Sequence, residues 1–203
     1  CLSMQGVGSA RSGKELSGLD MLFLRFLRRW LDDETARSRL LLSAAATLFL
    51  LTPIGAATLW NKHEGRFAAG ALEMLRSGDW VIPRIDGEPV VFYPPLMTWA
   101  SALAGLLFGG LTEFTARLPA ALGSIGCVLL TFEIARRLFD RRTALFSGFI
   151  LLTTIVWQRY TCACQPDSLM TFFTMAAIWA FLEGRSESEP RWRWSLLIGL
   201  ALG

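Results

Sequence analysis

The sequence has few charged residues, a single histidine and no pair of cysteines at metal-binding spacing. Only 18% of its 203 residues are charged, compared with about 25% in a typical soluble domain, whereas 53% are hydrophobic. The formal net charge of +3 is too small to indicate a nucleic-acid-binding protein. His63 has no histidine partner and the cysteines form no CxxC motif, so no thiolate or histidine metal site is predicted. This balance indicates a membrane protein.

The N-terminal region contains two segments that are predicted to lie outside the membrane core. Residues 1–18 are polar and rich in glycine and serine, and we expect them to form a disordered leader. Residues 19–38 alternate bulky apolar side chains with arginines at helical spacing, which favours an interfacial helix on the cytoplasmic side. The long apolar run that follows lacks a small-residue cleavage site, so it is predicted to remain as an anchor.

Several apolar runs predict membrane spans. They comprise residues 40–60, 118–135, 143–160, 168–183 and 194–203. The first run has about 21 residues, enough at about 1.5 Å per residue to cross a hydrocarbon core of about 30 Å, with Pro53 as a kink. The last run has only about ten residues, which cannot cross a bilayer. We therefore expect this chain to be the N-terminal part of a longer protein.

The distribution of arginines predicts how these spans are oriented. Five arginines precede the first span and place the N-terminus in the cytoplasm: Arg25, Arg28, Arg29, Arg37 and Arg39. Residues 94–110 are a marginal span, and if they crossed, the arginine-rich segment 136–142 would lie outside, against the positive-inside bias. We therefore predict that residues 94–110 lie in the outer interface or dip into it. Residues 61–117 and 161–168 would then lie outside together.

Two acidic residues at this outer side are candidates for chemistry. Glu64 follows the first span and Asp167 precedes the fourth. Ionisable groups at membrane boundaries are costly to bury, and two carboxylates in one cavity could act as general base and as orienting group. The alternative interpretations are that Glu64 only solvates a loop and that Asp167 only caps a helix. Spacing alone does not decide between them.

Six short motifs occur in a fixed order along the chain: HEGRF, SGDW, PRIDGEP, YPPL, RLP and QPD. Their order and spacing resemble the front part of the aminoarabinose transferase and protein O-mannosyltransferase superfamily, which contains polytopic glycosyltransferases of the GT-C fold. The resemblance implies an all-α membrane protein with a GT-C-like bundle of transmembrane helices and outer juxtamembrane helices. It also implies transfer of a sugar from a polyprenyl-phosphate donor to lipid A, a protein or a glycan on the outer face of the inner membrane.

The resemblance implies roles for the residues at the outer acidic motif. The superfamily pattern begins with Asp-Glu, which is His63-Glu64 here, and its arginine matches Arg66. Glu64 could take the role of the usual acid. Alternatively His63 could act as the base, since histidine titrates near neutral pH. Asp167 matches the second outer acid, so the candidate catalytic residues are Glu64, Asp167 and His63.

The resemblance also implies residues that bind the donor phosphate. The lysine that usually precedes the double proline is Tyr93 here, which donates one hydrogen bond but carries no positive charge. Arg66 or Arg84 is therefore expected to supply the cation. The sequence names no cofactor and leaves the use of a divalent metal open.

Two other classes of protein share this hydropathy. A lipid or sugar-lipid transporter should carry charges or broken helices near the middle of the membrane, but these apolar runs are largely uncharged at their centres. A catalytically inactive homologue would retain the motifs without the activity. Substitution of Glu64 and Asp167 by their amides should abolish transfer but spare transport.

Overall fold

The computed structural model describes residues 34–56, 59, 62–90, 93–161 and 163–185. The predicted leader, residues 19–33 of the predicted interfacial helix and the incomplete span at 194–203 lie outside these residues. The chain divides into two compact units, residues 1–37 and 38–203. Of the first unit, only residues 34–37 are described, and they are helical.

The described residues form seven helices and one short antiparallel hairpin. In chain order they are α1 (Glu34–Leu51), α2 (Lys62–Ser77), β1 (Arg84–Ile85), β2 (Glu88–Pro89), α3 (Leu96–Leu107), α4 (Glu113–Leu138), α5 (Arg141–Thr153), α6 (Ile155–Thr161) and α7 (Asp167–Arg185). The fold is thus almost entirely helical, and the hairpin is the one departure in the described part from the expected all-α class.

The longest helix, α4, is the element that meets both the length and the hydropathy expected of a membrane span among the described residues. It contains 26 residues and would be about 39 Å long at about 1.5 Å per residue. Thr112 caps its first turn, since the Thr112 hydroxyl accepts a hydrogen bond from Thr115 N and Thr115 Oγ1 accepts one from Thr112 N. Two shorter apolar helical stretches are Leu96–Leu107 and Asp167–Leu182.

Two of the predicted spans differ most from the helices of the structure. The helix predicted for residues 40–60 begins at Glu34 and ends at Leu51, because turns and Pro53 follow it. The helix predicted for residues 143–160 is interrupted at Thr154, where the backbone is extended. The threonines at this break compete for helical carbonyls, since Thr154 Oγ1 donates to Ile150 O at 2.6 Å.

Packing of α1, α4 and α5 produces the largest apolar core of the described residues. Its fully buried members include Leu42 and Leu50 of α1 and Val128 and Phe132 of α4. Gly148 of α5 leaves room for the Leu42 side chain of α1, because a Cβ atom there would lie 2.6 Å from Leu42 Cδ2. A side chain at this position would require Leu42 to shift.

Gly126 has the same effect between α4 and α7. A Cβ atom at this position would lie 2.4 Å from Phe172 Cε2. We expect Gly126→Leu to lower the free energy of unfolding by about 1–3 kcal/mol, because the Phe172 ring must move out of its packed position. Thermal unfolding in detergent would measure this loss. In the control Gly65→Ala, the added methyl group meets no atom within 4 Å, so the midpoint should stay nearly constant. An unchanged midpoint for Gly126→Leu would contradict the close approach.

A second region contains α2, the hairpin and α3. Helix α2 ends at Ser77, where Gly78 has a positive φ of 73° and its N–H donates to Met74 O. The SGD motif therefore ends a helix. Asp86 and Gly87 have φ values of 53° and 82°, which form the tight turn that this dipeptide predicts. Trp99 of α3 joins this helix to the segment before the hairpin, because its indole N–H donates to Trp80 O at 2.7 Å.

Candidate functional site

The first candidate site is a small pocket between α2, the hairpin and the start of α3, which we name the Arg66 pocket. It is lined by Arg66, Phe67, Gly70, Pro83, Ile85, Val90, Tyr93, Pro94 and Thr98. Phe67 and Tyr93 meet edge to face, with ring centroids 5.5 Å apart. The pocket therefore has aromatic and apolar walls with one cation.

Arg84, the other predicted cation, is engaged elsewhere. Its Nη1 donates to Gly87 O at 3.1 Å, and its Nε lies 3.7 Å from Asp79 Oδ2. The hydrogen bond from Val81 N–H, with a contribution from the Arg84 charge, holds the pKa of Asp79 below its usual range. Both side chains are partly exposed, so this ion pair is a weak one. Of the two arginines predicted to bind phosphate, Arg66 lines the pocket together with Tyr93. Arg84 does not line it.

Glu64 lies inside the protein rather than in a solvated loop. Its exposed fraction is 1%. Its Oε1 accepts hydrogen bonds from Arg117 Nε at 3.1 Å and from Cys164 N at 2.8 Å, and its Oε2 accepts one from Arg117 Nη2 at 3.4 Å. The interpretation that Glu64 only solvates a loop is therefore wrong. A carboxylate whose oxygens already accept these hydrogen bonds is poorly placed to take a proton from a sugar-acceptor substrate.

Arg117 is the partner that sequence reasoning missed. It lies in the first turns of α4 with an exposed fraction of 2%, and its Nη1 donates to Ile54 O at 2.9 Å. The RLP motif contains this arginine, but the motif does not predict the pairing. The signal for it was an arginine among apolar and small residues, since a charge in such a helix must find a partner.

Cys164 lies beside this ion pair. Its thiol is buried, and burial raises the pKa of Cys164 to about 12. Ser101 Oγ lies 3.9 Å from Cys164 Sγ. The thiol therefore stays protonated at neutral pH, which agrees with a packing role rather than a nucleophilic one.

Asp167 lies in a separate open cleft, which we name the Asp167 cleft. The cleft is lined by Leu151, Thr154, Val156, Trp157, Tyr160, Asp167, Ser168 and Thr171. Asp167 is exposed and is the first residue of α7, where the helix dipole favours a negative charge. The break between α5 and α6 at Thr154 opens one wall of the cleft. No lining residue is shared with the Arg66 pocket.

The structure thus places the residues predicted to act together in different surroundings. Glu64 is buried, Asp167 faces the cleft, and Arg66 and Tyr93 line the pocket. His63 lies in the first turn of α2, and its side chain is outside the described part of the structure. Within the described ranges, no three His, Cys, Asp or Glu residues are grouped closely enough to hold a metal ion.

Similar proteins of known identity share both sequence and fold with this chain. The undecaprenyl phosphate-alpha-4-amino-4-deoxy-L-arabinose arabinosyl transferase of Edwardsiella ictaluri is 32% identical over 165 residues, which cover 80% of this chain and 30% of the relative. A homologous transferase of Pseudomonas fluorescens is 33% identical over 167 residues, covering 80% of this chain and 28% of the relative. The chain therefore spans about 30% of the length of the curated relatives that it matches.

A solved structure with a similar fold supports the same relationship. The crystal structure of ArnT from Cupriavidus metallidurans bound to undecaprenyl phosphate is similar with a TM-score of 0.73 and 28% identity, over 80% of this chain and 30% of that one. Residues 93–203 match the family described as dolichyl-phosphate-mannose-protein mannosyltransferase. This match covers more than half of the sequence and confirms the resemblance carried by the motifs. The chain therefore belongs to the dolichyl-phosphate-mannose-protein mannosyltransferase family, in the GT-C superfamily that also contains the aminoarabinose transferases.

Proposed function

We propose that this chain is part of a membrane glycosyltransferase that transfers a sugar from a polyprenyl-phosphate donor to an acceptor on the outer face of the cytoplasmic membrane. The observation that carries the proposal is its likeness, over 80% of its length, to a protein whose structure contains undecaprenyl phosphate. The names of the relatives favour an amino sugar as the transferred group. The acceptor would be lipid A, a protein or another glycan, with a lipid favoured.

The proposed topology follows from charge and helix length. The N-terminus would be cytoplasmic, and α2, the hairpin and α3 would lie outside. The arginines at the end of α4 and the start of α5 would then lie in the cytoplasm, as the positive-inside rule favours. The protein would be a multi-pass protein of the inner membrane, in which the lipid tail of the donor stays in the bilayer while its phosphate reaches the outer loops.

The Arg66 pocket is the proposed binding site for the donor phosphate. The leaving polyprenyl phosphate is anionic, so a nearby guanidinium stabilises it as the bond to the sugar breaks. Arg66 supplies this charge, and the Tyr93 hydroxyl supplies one hydrogen bond in place of the ammonium group usual in the superfamily. Arg84, which contacts Gly87 O and Asp79, would have an indirect role.

The Asp167 cleft is the proposed site for the acceptor. Asp167 is an exposed carboxylate, as a general base or an orienting group must be. His63 is the second candidate for the base, because an imidazole can accept a proton near neutral pH. Glu64 would act indirectly, since its oxygens already accept hydrogen bonds from Arg117 and Cys164.

A transfer assay with the full-length protein in membranes tests the function. We expect label from a radioactive undecaprenyl-phosphate sugar to appear in a lipid product that separates from the donor by chromatography. The matched control is the same sugar on a nucleotide, which should give no product because it has no membrane tail. Label in the protein fraction would instead identify a protein acceptor. No product from any polyprenyl-phosphate sugar, with folded protein, would favour the transporter or the inactive homologue.

A further inference from the structure

The buried pair of Glu64 and Arg117 connects four segments that are distant in sequence. Glu64 belongs to the first turn of α2, and Arg117 belongs to α4, 53 positions later. Arg117 also donates to Ile54 O in the turn that follows α1. The Glu64 carboxylate in turn accepts the backbone N–H of Cys164, in the loop between α6 and α7. One ion pair therefore ties two helices and two connecting segments together.

The surroundings of this pair make it rigid. The exposed fractions of the Glu64 and Arg117 side chains are 1% and 3%, so neither is screened by water. The guanidinium contacts both carboxylate oxygens through Nε and Nη2, which fixes its orientation as well as its distance. Removal of one partner leaves the other charge buried without its partner in this ion pair, which is costly and favours rearrangement of the segments around it.

The segments held by this pair carry the two candidate bases. His63 directly precedes Glu64 in the first turn of α2. Cys164 is three residues before Asp167, and the short loop between them contains a backbone hydrogen bond from Gln165 N to Ala163 O at 2.8 Å. A shift of the Cys164 backbone would therefore move the start of α7 and its carboxylate.

We propose that Arg117 is a positioning residue, which acts through the Glu64 carboxylate to fix the first turn of α2 relative to the loop that carries Asp167. The inference rests on the proposed transfer reaction. It gives Glu64 an architectural part in catalysis instead of a proton-transfer part. A displacement of about 1 Å at a reacting group can lower a rate about 100-fold, so such a pair is sufficient to govern activity without contacting the substrate.

The test uses four variants of the full-length protein, purified and selected for a monodisperse state: Glu64→Gln, Arg117→Gln, the double variant, and the matched control Arg76→Gln. We expect either single variant at the pair to lower kcat about 100-fold with a smaller change in the KM for the donor. The double variant should regain at least about tenfold, because neither position then carries a buried charge and two amides can bond to each other. Arg76, an exposed arginine on the same helix, should be replaceable without loss.

Backbone hydrogen exchange provides a readout that does not depend on transfer. Both single variants should accelerate exchange in peptides covering residues 62–67 and 163–168, and the double variant should return both towards the wild-type rate. A double variant that is folded, shows wild-type exchange and is as inactive as Glu64→Gln would overturn the proposal, because Glu64 would then act chemically. Unchanged exchange in Arg117→Gln would overturn it as well. An inactive wild type with the expected exchange pattern would instead count against the transfer function.

Discussion

Asp167→Asn is expected to lower the rate of sugar transfer by about 1,000-fold, which is within the range that positioned general bases contribute. The amide keeps the size and most of the hydrogen-bonding capacity of the side chain but cannot accept a proton from the acceptor. Asp167 is exposed in its cleft, so the substitution leaves no buried group unpaired. The loss should therefore appear in kcat, with little change in the thermal unfolding of the purified protein.

A matched control for this variant is Glu113→Gln. Glu113 is also an exposed acid at the first position of a helix, α4, so both substitutions remove one favourable interaction with a helix dipole. It does not line the Asp167 cleft or the Arg66 pocket. We expect it to retain nearly full activity. If Asp167→Asn were as active as Glu113→Gln, Asp167 would only begin a helix, and the base would have to be sought at His63.

Arg66→Gln is the second change with a large expected effect, a loss of about 1,000-fold in kcat/KM for the donor. Removal of a preorganised group that stabilises developing charge typically costs about 100-fold to 1,000-fold in rate. After this substitution the pocket retains the Tyr93 hydroxyl, but no other residue that lines it is an arginine or a lysine. The measurement is the transfer rate over a range of concentrations of the undecaprenyl-phosphate sugar.

The control for Arg66→Gln is Arg76→Gln, which removes another exposed arginine, from the last turn of the same helix. This change should leave kcat/KM nearly constant. A further comparison is Arg66→Lys, which keeps the charge but loses the planar fork and should retain part of the activity. Equal activity of the Arg66 and Arg76 variants would show that the donor phosphate binds elsewhere.

Much of the local structure around the candidate site could be predicted because it depends on neighbouring residues. Gly78 ends α2 and Asp86-Gly87 forms the hairpin turn, since positive φ angles favour glycine and tolerate aspartate. Asp167 could be predicted near the start of α7, because Pro166 and an acidic residue favour the beginning of a helix. The family could be predicted as well, because the order of the six motifs is a property of the sequence alone.

The helical boundaries within the predicted spans were less accessible to sequence reasoning. Hydropathy predicted one continuous span over residues 143–160, but the chain breaks at Thr154. Thr153 and Thr154 donate their hydroxyls to carbonyls of the preceding turn, at Phe149 and Ile150. The mean hydropathy of this segment does not reveal such a competition, because threonine changes the mean very little.

The sequence by itself determined the membrane character of this protein, its family and the places where short-range rules end a helix or form a turn. Only the tertiary structure decided what each acidic residue can do. Glu64 and Asp167 are both carboxylates predicted to act on the substrate, but Glu64 is enclosed by Arg117 and Cys164, whereas Asp167 faces an open cleft. Burial and pairing depend on residues that are 53 and 100 positions away in the chain, which no local pattern around Glu64 specifies.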